Sequence, residues 1–246
     1  MGGFSICRVS ENPVSFPRRS MKARLALLFS SLLLPASAPV AEETATAPFD
    51  PRTIVFIGSS SIDFWETLPE DFAGETVLNL GKAGTTFSHL VDQAGEWAAR
   101  YPADRYVIYS GDNDIAWLRS PEKVARQFRE VAETLHATNP RVRIFVLSIK
   151  PNRIPTRRIR IRAVREANAR IAAEATALGY VTYVDIHTSM LDSTGQPRSD
   201  LFNIDGIHLN ESGYRLWRDI LLPKLAPPVT HPQDLPVPLV ARPVES

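Results

Sequence analysis

Three consecutive serines, Ser59, Ser60 and Ser61, follow the apolar run Ile54–Ile57 and a single glycine, Gly58. A strand that stops at glycine and small polar residues, then turns into an apolar helix-like segment ending near Trp65, gathers hydroxyls and backbone N–H groups at one point. That is a place for a nucleophile, and also a common place for a plain turn. A hydroxyl needs a base to take its proton, and the chain offers one in Asp205-Gly206-Ile207-His208. A carboxylate three residues before an imidazole can hold one ring nitrogen and leave the other free.

Two further loops supply groups that could face a developing negative charge. Asn79-Leu80-Gly81-Lys82-Ala83-Gly84-Thr85 contains spaced glycines that let the backbone turn tightly and bare an N–H. Ser110-Gly111-Asp112-Asn113-Asp114 is rich in cap and turn formers, and an asparagine amide there can donate to an oxyanion. A metal site would need more ligands than the sequence brings together. The histidines outside Asp-x-x-His (His89, His136, His187, His231) are scattered and read as structural, and the single cysteine, Cys7, lies in the N-terminal stretch. Neither a metal nor an organic cofactor is called for.

These loops follow apolar runs at Ile54–Ile57, Val77–Leu80, Tyr106–Tyr109, Ile144–Ile149 and Val181–Ile186. Segments of helical period separate the runs. One stripe joins Leu90, Val91, Ala94, Trp97 and Ala98. A second joins Val124, Phe128, Val131, Ala132 and Leu135, opened by Ser120 and Pro121. A third joins Val164, Ala167, Ile171, Ala175 and Leu178, stopped by Gly179. The last joins Tyr214, Trp217, Ile220 and Leu221 behind Asn210 as cap. Short continuous strands alternating with helices predict an α/β fold with a parallel sheet covered on both faces. Right-handed crossovers then put every strand's C-terminal end on one edge, where such folds bind ligands.

With those blocks in order, the stretch Ile54–Leu225 resembles the SGNH/GDSL hydrolase family of serine esterases. Gly58-Ser59-Ser60 lies on the family's Gly-Asp-Ser block, which implies Ser60 as nucleophile. Gly84 falls on the second-block glycine. Gly111-Asp112-Asn113-Asp114 matches Gly-x-Asn-Asp and implies Asn113 as oxyanion donor. Asp205 and His208 match Asp-x-x-His, as orienter and base. The resemblance implies a three-layer α/β/α sandwich with a five-stranded parallel sheet, flavodoxin-like in plan. It also implies ester hydrolysis through an acyl-enzyme, with the oxyanion held by the N–H groups of Ser60 and Gly84 and the Asn113 amide. Ser59 departs from the pattern, standing where the family carries aspartate, and this is the one feature that favours a non-catalytic binding module on the same fold. The same chemistry also serves an O-acyl (acetyl) transferase or deacetylase acting on cell-envelope glycans.

The remaining sequence bounds where and on what such an enzyme acts. A formal net charge of +1 gives no reason to expect nucleic acid or bulk membrane binding, and the resemblance implies a small-molecule, glycan or lipid ester as partner. Met21-Lys22-Ala23-Arg24, the apolar run Leu25–Leu34 and the small residues Pro35–Ala41 form the three parts of a secretory signal peptide, with Met21 a candidate start. The run is short for a bilayer span. Export to the periplasm or medium is expected, with an uncleaved N-terminal anchor as the alternative. The boundaries so drawn are residues 1–41 for the extension and signal peptide, 42–52 for a linker, 53–226 for the hydrolase domain and 227–246 for a disordered tail. That tail has six prolines. Between Arg153 and Arg165 lie six arginines and no acidic residue. They read as a solvated helix face, or as a meeting point for an anionic substrate on the site edge. No long apolar insertion resembles a lid, which favours short acyl chains.

Overall fold

The computed structural model describes residues 53–154 and 160–226. The expected signal peptide, linker and proline-rich tail lie outside the described residues, as do Arg157 and Arg158 of the basic stretch. Five parallel strands, β1 (Thr53–Gly58), β2 (Thr76–Gly81), β3 (Arg105–Tyr109), β4 (Arg143–Leu147) and β5 (Val181–Val184), form a sheet in the order β2-β1-β3-β4-β5. The helices are α1 (Ser60–Asp63), α2 (Leu68–Asp71), α3 (Phe87–Arg100), α4 (Asp112–Ala116), α5 (Pro121–Thr138), α6 (Ile161–Leu178) and α7 (Glu211–Leu225).

Side chains alternate across each strand, so the sheet feeds two cores. Val55, Ile57, Tyr106, Ile108, Ile144 and Val146 face α3, α5 and α6. Ile54, Phe56, Val107, Tyr109, Phe145 and Leu147 face the layer of α1, α2 and α7. The fold is therefore a three-layer α/β/α sandwich with a five-stranded parallel sheet, the flavodoxin-like arrangement. The helix stripes read from the sequence supply its outer layers. Ser120 caps α5 by accepting from the Lys123 N–H, and Asn210 caps α7 by accepting from the Gly213 N–H. Gly179 ends α6 in the left-handed conformation.

Two runs extend further in the sequence than in the sheet. The apolar pattern carries β4 to Ile149 and β5 to Ile186, but the ladder stops at Leu147 and Val184. Beyond that point side chains take over the backbone bonds. Asn168 of α6 accepts from the Ile149 N–H at 2.7 Å and donates to its carbonyl at 3.0 Å. The Ser148 hydroxyl accepts from the Ile186 and His187 N–H groups at 3.0 and 2.9 Å. Ile149 and Ile186 stay buried without being strand residues.

The order β2-β1-β3 matters most for function. The chain leaves β1 toward one side of the sheet and reaches β3 on the other, so the topological switch point lies between the C-terminal ends of β1 and β3. Gly58 sits opposite Tyr109 there. A Cβ on Gly58 would stand 2.1 Å from the Tyr109 carbonyl oxygen, so only glycine lets β1 turn this close to β3.

Candidate active site

The nucleophile turn is built by backbone bonds across the switch point. The Ser59 N–H donates to the Tyr109 carbonyl at 3.1 Å, and the Ser59 carbonyl accepts from Ile62 and Asp63 at 2.9 and 3.1 Å. That closes α1 immediately after β1. Ser60 is the first residue of α1, and the first N–H groups of a helix have no acceptor within it. The turn also separates the three serines. Ser59 and Ser61 are fully buried, whereas Ser60 keeps 8% of its surface and points to His208.

His208 reaches the turn from a loop that is closed on itself. Phe202 and Leu209 form an isolated antiparallel bridge. Asn203 donates its N–H to the His208 carbonyl at 2.8 Å and its side-chain amide to the Leu209 carbonyl at 3.0 Å. The neighbouring loop after β4 joins in, with the Arg153 N–H on the Gly206 carbonyl at 2.8 Å. Asp205 Oδ1 accepts from the Ile207 and His208 N–H groups at 2.8 and 3.0 Å, and its Oδ2 lies 2.6 Å from His208 Nδ1. His208 Nε2 lies 3.1 Å from Ser60 Oγ. With Nδ1–H donated to the carboxylate, the Nε2 lone pair is left facing the hydroxyl proton. Partial desolvation favours the protonated Asp205 carboxyl. The two N–H donors and the imidazole outweigh it and hold the group below the usual carboxylate range.

An aromatic cluster beneath these loops joins the two halves of the site. Trp65, just beyond α1, stacks on Tyr214 of α7 at 5.2 Å between ring centroids and meets Trp217 edge-on at 6.0 Å. Such pairs contribute roughly 0.5–1.5 kcal/mol each beyond burial. They fix α7, and the His208 loop before it, against the helix that begins with Ser60. Phe64 adds a contact that the sequence did not announce, its ring 5.1 Å from the His208 ring.

The two expected oxyanion loops arrive at the same edge. Gly84 adopts φ +77°, a left-handed conformation that glycine takes without strain. Its loop is fastened by the Ala83 N–H on Asp63 Oδ2 at 2.9 Å and by the Thr85 hydroxyl on the Gly58 carbonyl at 3.1 Å. Asn113 donates one amide hydrogen to the Thr85 carbonyl at 2.9 Å, so its second amide hydrogen is free to face the site. Asp114, in the same block, acts structurally. It is fully buried, accepts from the Phe87 N–H at 3.1 Å and pairs with Arg119 at 3.0 Å, capping α3 from outside. The structure thus brings Ser60, His208 and Asp205 into one hydrogen-bonded row, with Gly84 in the loop after β2 and Asn113 in the first turn of α4 at the same edge.

A small pocket bordered by Asp112, Ile115, Ile149, Lys150, Val164 and Ile207 opens next to the Asp112 turn, and none of Ser60, His208 and Asp205 lines it. Of the remaining histidines, His136 stacks on Tyr180 and His187 bonds to the Ile149 carbonyl through Nδ1. Among the described residues no cluster of three or more His, Cys, Asp or Glu could hold a metal ion. Nor, among them, is any helix long and apolar enough to cross a membrane.

Comparison with known proteins agrees with the fold. No curated protein sequence matches the chain. Solved structures do. A candidate acylhydrolase from Bacteroides fragilis superposes with a TM-score of 0.66 at 20% identity, covering 74% of this chain and 91% of that one. A GDSL-like lipase from Bacteroides thetaiotaomicron gives 0.63 at 21% identity over 71% and 88%. A family 3 carbohydrate esterase from Clostridium thermocellum gives 0.56 at 18% identity over 70% and 96%. At these identities the likeness speaks for the fold. The family model for GDSL-like lipases and acylhydrolases matches residues 56–216, from β1 into α7, and so spans all four loops of the site. The chain belongs to the GDSL-like lipase/acylhydrolase family.

Proposed function

We propose that this protein is an exported serine esterase that hydrolyses carboxylic esters of short acyl chains through a covalent acyl-enzyme. The observation that carries the reading is the unbroken row from Asp205 to His208 to Ser60, with spacings of 2.6 and 3.1 Å, at the sheet's switch point. His208 Nε2 takes the Ser60 proton as Oγ attacks the ester carbonyl. Asp205 holds the ring in the required tautomer and stabilises the imidazolium. The tetrahedral oxyanion receives the N–H groups of Ser60 and Gly84 and the second amide hydrogen of Asn113. His208 then protonates the leaving alcohol, and a water molecule repeats the attack on the acyl-enzyme with the same base. Every proton moves between Ser60, His208, the leaving alcohol and water, so the cycle closes on these groups.

The lack of a long apolar lid-like insertion in the sequence supports the short-chain preference. The N-terminal charge and hydropathy pattern supports export. Acyl transfer to a glycan would use the same acyl-enzyme with a sugar hydroxyl in place of water. Turnover of chromogenic acetyl, butyryl and octanoyl esters, with and without added sugar acceptors, tests the reading. Acetyl and butyryl esters should turn over fastest and release free acid. Acylated sugar as the main product would make the protein a transferase, and no turnover of any ester would remove the enzymatic reading.

A further inference from the structure

A buried charge pair under the nucleophile turn has no part in the proton transfers just described. Lys150 follows β4 by three residues, is only 2% exposed, and pairs with Asp112 Oδ2 at 2.8 Å. Burial alone would raise the Asp112 carboxyl's proton affinity, but the Lys150 ammonium outweighs it and keeps the group ionised below the usual range. A buried ion pair adds little net stability over an apolar pair of the same volume. Its geometry here says what it does instead.

Asp112 is bonded on both oxygens. Oδ1 accepts from the Ser59 hydroxyl at 3.3 Å and from the Asn113 N–H at 3.0 Å, while Oδ2 takes Lys150. Lys150 also donates to the Tyr109 hydroxyl at 3.1 Å, and the Tyr109 carbonyl in turn accepts the Ser59 N–H at 3.1 Å. The bonds close a ring: Ser59, Asp112, Lys150, Tyr109 and back to Ser59. One member immediately precedes Ser60 and another immediately precedes Asn113. Ser59 stands where the family's first block carries aspartate. An aspartate there would face the Asp112 carboxylate across a hydrogen-bond distance, whereas serine can donate to it. In this chain the carboxylate stands on the third loop, at Asp112, and Lys150 holds it there.

Resting on the esterase reading above, we infer that Asp112 and Lys150 are positioning residues. Through Ser59 and Asn113 they fix the nucleophile turn and the oxyanion donor at one separation across the switch point. Neither residue bonds to Ser60, His208 or Asp205, the groups that touch the reacting atoms. The pair acts on kcat by setting the distance between such groups, where small misplacements cost up to about a hundredfold.

The test uses the full chain with a chromogenic acetyl ester and compares wild type with Ser59→Ala, Asp112→Asn and the double variant Ser59→Asp/Asp112→Asn. Thermal melting is followed in parallel. Asp112→Asn should lower kcat by about tenfold to a hundredfold with KM changed by less than about twofold. The double variant returns a carboxylate to the ring from the other loop and should recover most of the lost kcat, which a merely structural role for Asp112 does not predict. Ser59→Ala removes one bond of the ring and leaves the ion pair intact, so it should keep the wild-type melting temperature and lose about fivefold in kcat. Should Asp112→Asn fail to fold, Ser59→Ala decides alone. An unchanged kcat in Ser59→Ala, or no recovery in the double variant, overturns the inference while wild-type activity leaves the esterase reading standing. A folded wild-type protein without esterase activity overturns both.

Discussion

The two edges of the sheet each carry a buried cation, and they use it differently. At the edge where strands begin, Arg105 opens β3, is 4% exposed and grips Glu75 with two bonds of 2.9 and 2.6 Å. It also donates to the Leu225 carbonyl at 3.0 Å, and Arg143 at the start of β4 donates to the Lys224 and Ala226 carbonyls. These bonds satisfy the last carbonyls of α7 and seal the sheet's lower edge. At the edge where strands end, Lys150 is as deeply buried, but the ring it forms with Asp112, Tyr109 and Ser59 stops one residue short of Ser60 and Asn113. There the charges saturate the supports and leave a hydroxyl, an imidazole and an amide hydrogen unspent. The comparison separates fastening the fold from setting out reactive groups.

Substitutions at the upper edge should change rate, and the largest effect should come from the nucleophile. Ser60→Ala should cost roughly a millionfold in kcat with an unaltered melting temperature, read with an acetyl ester. Asp205→Asn leaves His208 without the partner that sets its tautomer and should lower kcat by about ten-thousandfold. Asn113→Ala removes one oxyanion donor and should cost about a hundred- to a thousandfold, chiefly in kcat.

At the lower edge the response should be one of stability. Arg105→Met leaves the Glu75 carboxylate and the Leu225 carbonyl without the guanidinium. It should lower the free energy of unfolding by about 3 kcal/mol, while the kcat of the folded fraction stays at the wild-type value. Denaturant unfolding and active-site titration together separate the two. Loss of kcat in folded Arg105→Met would erase the distinction between the edges.

A smaller effect samples both edges through β3. Tyr106, bonded to the Trp97 and Tyr101 carbonyls, and Tyr109, in the ring at the other end, are both buried, and burial raises each phenol above its ordinary value of 10.0. Burial raises Tyr214 in α7 likewise. The folded state keeps these protons where the unfolded chain releases them. Their contribution is therefore complete below about pH 10 and is lost as pH rises from there toward the folded values. The loss is about 1.4 kcal/mol per pH unit for each tyrosine. Melting temperature should be flat through pH 9 for these groups and fall steeply above pH 10. Tyr106→Phe should flatten that fall without touching kcat.

The strands and helices that frame both edges could be read from the sequence, because they rest on local signals, whereas the Arg105 contacts with Glu75 and Leu225, 30 and 120 positions away, could not. Apolar runs marked the five strands, and capping by Ser120, Asn210 and Gly179 marked helix ends. The over-long readings at Ile149 and Ile186 failed where Asn168 and Ser148 take backbone bonds, a trade that apolar periodicity does not register. The four loops could be named in order, yet only the family register, and no local signal, set Ser60 apart from Ser59 and Ser61. The ring around Lys150 was out of reach for a different reason. It joins residues 38 and 53 positions apart, and a lysine after an apolar strand looks like any solvent-facing end until the sheet buries it. Ser59, which on its own counted against catalysis, is the residue whose meaning the structure changes most.

Covalent labelling with a fluorophosphonate, followed by peptide mapping, decides whether Ser60 is the nucleophile. One label per chain is expected, on Ser60, and it should be lost in His208→Ala. Labelling on Ser59 or Ser61, or none in the folded wild-type protein, would contradict that assignment.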